Sequence, residues 1–103
     1  MRADNDMERA LALLGMARRA RVLIVGQDRV FAAMRGGGGL FIVASGDCSG
    51  NVLRKALSSN CETLVLEDFS RESLGKAVGV MNAQIVALPG GSGFVKKLKE
   101  LSK

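Results

Sequence analysis

The chain has no histidine and two cysteines among its 103 residues, and that shortage decides most of the chemistry open to it. Without imidazole there is no His-based triad, no His general acid or base and no His metal ligand. Cys48 and Cys61 belong to no Cys-x-x-Cys pair and have no His to draw off a proton. They read as reduced thiols, Cys61 as a buried structural one. Asp47, Glu67 and Asp68 fall where strands are expected to end, but their spacing specifies no acid–base pair. The run Pro89-Gly90-Gly91-Ser92-Gly93 precedes a helical pattern, a place where backbone N–H groups hold anions. It has neither the Gly-Lys-Ser/Thr of a P-loop nor the Gly-x-Gly-x-x-Gly of a dinucleotide fold, so it reads as turn chemistry. The expectation is no catalysis, no cofactor and no metal site.

Charge is what remains. Fifteen Lys and Arg against ten Asp and Glu leave a net charge of +5. On a small domain that balance points to nucleic acid first and an anionic membrane surface second, with plain solubility as the bland alternative. No apolar run approaches the length of a membrane-spanning helix. With no secretory leader and no cysteine framework, the expected compartment is the cytoplasm.

Residues 22–47 carry the main architectural signal. Residues 22–25 are apolar and β-branched, Gly26 breaks the run, and residues 27–35 place Val30, Phe31, Ala33 and Met34 at helical spacing. Glycines 36–39 end that helix, and residues 40–44 are again apolar. Strand, helix, strand is a βαβ unit. Before it, residues 4–20 form an amphipathic helix with Met7, Ala10, Leu11, Leu14 and Ala17 on one stripe and Arg18, Arg19 and Arg21 at its end. After it come a helix to residue 58 capped by Asp47 or Ser49, a strand at 63–66, a helix at 71–78 capped by Ser70, a strand at 85–88, and a helix at 93–102 capped by Ser92. The order αβαβαβαβα predicts an α/β fold: a three-layer αβα sandwich around a four-stranded mixed sheet, built by residues 1–103 as one domain. With four Phe and no Trp or Tyr, its core is aliphatic.

In such a sandwich the Gly26 turn and the loop after residue 78 can share one end of the sheet. Arg18, Arg19, Arg21, Arg29 and Lys76 would then ring that end and hold phosphates. Val78, Val80 and Met81 would offer an apolar platform for an unstacked base.

The pieces Leu14-Gly15-Met16-Ala17-Arg18-Arg19-Ala20, Gly26 with its helix, residues 40–44, Asp47-Cys48-Ser49-Gly50-Asn51, Leu74-Gly75-Lys76-Ala77-Val78-Gly79 and Gly93-Phe94-Val95-Lys96-Lys97-Leu98 are together specific. In that order they resemble the large-subunit ribosomal protein L-seven-Ae family of kink-turn RNA binders, its short bacterial members above all, over about residues 8 to 101. The resemblance implies an αβα sandwich, no catalysis, and binding to a sharply bent RNA with sheared G·A pairs. It implies that guanines are read from the Gly26 turn and the first half of the following helix, and that a flipped-out base lies against the loop after Leu74–Gly79.

At the places of the family's Gly-x-Asn-Glu-x-x-Lys turn this chain has Gly26, Asp28, Arg29 and Ala32. Asp28 lacks the amide's donors, and Ala32 lacks the cation. Arg29 brings a guanidinium that suits guanine O6 and N7. The segment between Cys61 and Leu74 is about three residues shorter than the family's. The expected contact set is Arg18, Arg19, Gly26, Gln27, Asp28, Arg29, Lys76, Val78, Gly79, Val80, Met81 and Asn82. The expected partner is a structured, kink-turn-like RNA, ribosomal RNA included, and no membrane. The alternative is a protein- or anion-binding module on the same fold, its RNA site degenerate.

Overall fold

A computed structural model describes residues 4–37 and 39–101. Nine elements alternate as expected: α1 (Asp4–Arg19), β1 (Ile24–Val25), α2 (Gln27–Arg35), β2 (Leu40–Ser45), α3 (Gly50–Ser58), β3 (Glu62–Leu66), α4 (Arg71–Val78), β4 (Ile85–Pro89) and α5 (Gly93–Leu101). The expected end of the last helix at Ser102 and one glycine of the 36–39 run, Gly38, lie outside the described residues.

The four strands are ordered β1-β4-β2-β3, with β4 antiparallel to both β1 and β2 and β3 parallel to β2. The βαβ unit over 22–47 is therefore split: β1 and β2 run the same way, but β4 lies between them. Local pattern cannot reveal this, because strand pairing is non-local.

Alternation along the central strands divides the core in two. Phe41, Val43, Val86 and Leu88 face α1, α4 and α5, packing with Ala10, Leu14, Leu74 and Leu98. Ile42, Ile85 and Ala87 face α2 and α3, packing with Val30, Val52 and Ala56. Side chains of successive strand residues point to opposite faces, so β2 and β4 need apolar residues throughout. The result is the three-layer sandwich.

β1 is shorter than the apolar run 22–25, and the reason is local. Val22 N–H donates to the Ala17 carbonyl (3.0 Å) and Arg21 N–H to the Arg18 carbonyl (3.0 Å). This pair of bonds is a Schellman motif, with Arg21 in the left-handed region (φ 63°) where glycine is usual. Val22 is consumed by the helix end and never joins the sheet. One turn back along α1, the last turn of α4 lies against Gly15: a Cβ on Gly15 would stand 2.9 Å from the Ala77 carbonyl oxygen.

Two substitutions, one on α1 and one in its C-terminal cap, should move stability in opposite directions. Arg21→Gly relieves the left-handed cap and should stabilise by up to about 1 kcal/mol, since an L-residue in that region costs roughly 1–2 kcal/mol, less glycine's extra chain entropy. Gly15→Ala should destabilise on balance, because overpacking of about 1–3 kcal/mol outweighs a helix-propensity gain of up to about 1 kcal/mol. Urea denaturation of the two variants beside the parent checks both signs.

Candidate nucleic-acid interface

Antiparallel pairing places the exit of β1 beside the start of β4. Val25 is opposite Val86, and Gly26 N–H reaches the Ile85 carbonyl (3.3 Å). β2 ends at the same level: Ser45 N–H donates to the Gln84 carbonyl (2.9 Å). The N-termini of α2, α3 and α4, which follow β1, β2 and β3, all open at this end.

Each of the three N-termini is treated differently. α3 is capped by Ser49, whose Oγ accepts from Val52 N–H (3.4 Å), while Ser49 N–H donates to Gln84 Oε1 (2.7 Å). α4 is capped by Ser70, which accepts from Ser73 N–H (3.1 Å). Asp47, one of the two caps expected for α3, serves α4 instead. Its Oδ1 accepts from Arg71 N–H (2.7 Å), its carbonyl accepts from Arg71 Nη2 (2.7 Å), and its Oδ2 lies 3.6 Å from Arg71 Nε. α2 has no side-chain cap. Its N-cap is Gly26, at φ 98° and ψ 143°, a region that side chains avoid. The first amides of α2 are thus left for another partner, and the helix dipole favours an anion there.

The cleft in front of α2 has a volume of about 280 Å³ and is lined by Gly26, Gln27, Arg71, Asn82, Ala83 and Gln84. Arg71 is the charged residue of that lining, and Asp28, though exposed one residue further along, is not part of it. Arg71, Ala83 and Gln84 are absent from the set expected from sequence. Arg71 reads there as a first-turn helix residue, and only the β4 pairing brings Gln84 and its neighbours to Gly26.

The loop from Gly79 to Gln84 runs back along α4. Gly79 N–H donates to the Lys76 carbonyl (3.4 Å) and Val80 N–H to the Gly75 carbonyl (2.9 Å), a second Schellman motif with Gly79 at φ 85°. Ala83 N–H then donates to the Arg71 carbonyl (2.9 Å). A Cβ on Gly75 would meet Asn82 Cα at 2.8 Å and the Met81 carbonyl oxygen at 2.9 Å, so the loop can lie this close only over glycine. Leu74-Gly75-Lys76-Ala77-Val78-Gly79 thereby gains a physical reading: core, loop contact, exposed cation, contact with α1, core, left-handed cap.

Those contacts correct the expected apolar platform. Val78 is 1% exposed and belongs to the core. Val80 is half-buried against the same core, as the residue after a Schellman glycine commonly is. Met81 is 87% exposed and stands alone as the apolar group the loop presents. Gln27, Asp28 and Arg29 are exposed in the first turn of α2. Arg18 and Arg19 are exposed in the last turn of α1, and Lys76 in the last turn of α4. Arg19 Nη1 comes within 3.7 Å of where a Gly15 Cβ would stand, beside Ala77. The expected ring is therefore two groups: Gly26–Arg29 at the cleft, and Arg18, Arg19, Arg21 and Lys76 at the C-terminal ends of α1 and α4, which point away from the Gly26 end.

The Asp47 carboxyl is held below its ordinary value of 3.8. Desolvation pushes it up, but the Ser45 hydroxyl, the Arg71 N–H and the Arg71 guanidinium together pull it down. Ser45 Oγ is fully buried and, among the described residues, meets no partner at full hydrogen-bond geometry. The Cys48 thiol is pushed up, by burial first; the Arg71 charge opposes this and the Asp47 charge adds to it. It stays a thiol near neutral pH. Cys48 and Cys61 are free and half-buried over the α2–α3 core, rather than fully buried. Among the described residues no helix is long and apolar enough to cross a membrane.

Comparison with known proteins bears on this arrangement. A Bacillus halodurans protein of unknown function superposes with a TM-score of 0.78 at 30% identity, over 90% of this chain and 95% of that one. The two belong to one family. Its Bacillus member, matched over nearly its whole length, carries the same fold without an assigned role. The Giardia lamblia 15.5kD RNA binding protein superposes with a TM-score of 0.71 at 14% identity, over 96% of this chain and 87% of that one, and shares the fold. No protein-family model and no curated protein matches the chain.

A carboxylate stabilised in the folded state contributes stability above its unfolded pKa, and that contribution is lost as pH falls through the lower folded value. Asp47 should therefore titrate below 3.8, with the α4 N-terminus loosening only under that pH. Carboxyl chemical shifts of Asp47 followed by NMR from pH 6 to pH 2 check this; a midpoint above 3.8 would contradict it.

Proposed function

We propose that this chain is a non-catalytic RNA-binding protein that recognises a kinked, structured RNA, with ribosomal RNA among its candidate partners. The observation that carries the reading is the cleft at Gly26: an uncapped helix N-terminus, the Arg71 guanidinium and the backbone-pinned loop 79–84 face one space. The pattern of residues that resembles the kink-turn binders falls on these elements, and the Giardia protein of the same fold is an RNA binder by name.

In this reading the α2 amides and Arg71 hold phosphate, and Arg29 reads a guanine edge through O6 and N7. Met81 supplies a soft apolar surface for an unstacked base. Gln27 and Asn82 offer amide donors and acceptors at the rim. Arg18, Arg19 and Lys76 contact the backbone beyond the loop. Asp28 sits outside the cleft lining, where it restricts the approach of phosphate without closing the cleft. Asp47 favours the competing reading, a protein- or anion-binding module, because it already engages Arg71 three ways.

A gel-shift titration with a kink-turn RNA and a straight duplex of equal length separates the two. Preferential binding of the kinked RNA is expected, and equal, weak binding of both would sink the claim. Arg29→Ala should weaken binding of the kinked RNA by roughly 1–3 kcal/mol; an unchanged affinity removes Arg29 from the site.

A further inference from the structure

The two helix layers carry the same net charge but differ in how it is mixed. On α2 and α3, Arg29, Arg35, Arg54 and Lys55 stand against one carboxylate, Asp28. On α1, α4 and α5, acids are interleaved with the cations: Asp6, Glu8, Glu72 and Glu100 among them. The four cations of the α2–α3 layer are exposed, and none of them forms an ion pair among the described residues.

They are also arranged relative to the cleft. Both helices begin at the Gly26 end and run away from it. Arg29 lies in the first turn of α2 and Arg35 at its end, about 9 Å further along at 1.5 Å per residue. Lys55 Nζ is held 5.0 Å over the Phe31 ring, so the cation of α3 is anchored against α2. Phe31, Met34, Arg35 and Lys55 line one groove of about 280 Å³ between the helices. Arg54 Nη1 is steadied by Asn51 (3.1 Å).

We infer that the outer face of α2 and α3 is a track for the phosphate backbone of a duplex stem that leaves the kinked RNA at the Gly26 cleft. The inference rests on the RNA reading of that cleft. The stem's charge is what a face with four cations and one acid complements. Arg35 and Lys55 grip the backbone at the far end of the groove, Arg29 joins the track to the cleft, and Arg54 widens it.

The test measures binding by fluorescence anisotropy at a series of salt concentrations. Two RNAs share one kinked core, one with stems just long enough to pair and one with a stem extended past the α2 length. The parent protein should bind the extended RNA several-fold more tightly. The double variant Arg35→Gln, Lys55→Gln should lose that advantage, and its slope of log K against log salt should fall by about 2 on the extended RNA, near 0.9 per phosphate contact. The charge-matched control Lys96→Gln, Lys97→Gln, on α5, should leave both quantities unchanged. Thermal melts by circular dichroism confirm that both variants are folded. Kink-specific binding with no stem-length effect, or equal slope changes in the variant and the control, overturns the track while leaving the cleft reading intact. Absence of any preference for the kinked core overturns both together.

Discussion

Backbone pairing along β4 is the constraint on which the rest depends. β4 enters between β1 and β2 and runs against both, so its first residues meet the exits of both neighbours. Gly26 is bonded to Ile85 and Ser45 to Gln84 through main-chain groups alone. The Gly26 turn and Gln84 are brought together by those bonds. Such pairing uses no side chain, so the cleft's shape does not depend on the residues at 28, 29 and 32.

α4 transmits that constraint to the loop. Its cap at Ser70, its tie to Asp47 and its left-handed end at Gly79 set its two termini, and Gly75 lets the returning chain lie directly on it. The loop 79–84 is therefore bonded at both ends to α4, through Gly75, Lys76 and Arg71. A binding loop built this way loses little conformational freedom when it meets a ligand, because its backbone is already ordered. Met81 is what such a loop leaves in solvent, its neighbours Val78 and Val80 being used to hold it down.

The order and type of all nine elements were legible in the sequence, since each is bounded by a glycine, a capping serine or a change of hydrophobic period. The core was legible too, because β2 and β4 are apolar at every position but Ser45. Strand order was not: nothing local says that β4 splits β1 from β2. The site divides along the same line. Gly26, Gln27 and Arg29 were readable as the turn and first turn of a helix, and Met81 and Asn82 as a loop. Arg71 and Gln84 were not, because they reach the cleft only through pairing between distant segments. Val78 was misassigned by adjacency to the loop, although its spacing of four from Leu74 marks it as a core position. Val22 was lost from the strand to a Schellman end with arginine where glycine is the usual signal.

The central claim is that RNA meets this protein at the Gly26 end of the sheet. Ultraviolet crosslinking of the intact protein to a kinked RNA, followed by mass-spectrometric mapping of the crosslinked residues, tests it most directly. The account predicts crosslinks in residues 26–29, at Arg71 and at residues 81–84, with a flipped base attached at Met81. Crosslinks concentrated instead on the groove between α1 and α5, around Leu13, Met16 and Lys97, would contradict it.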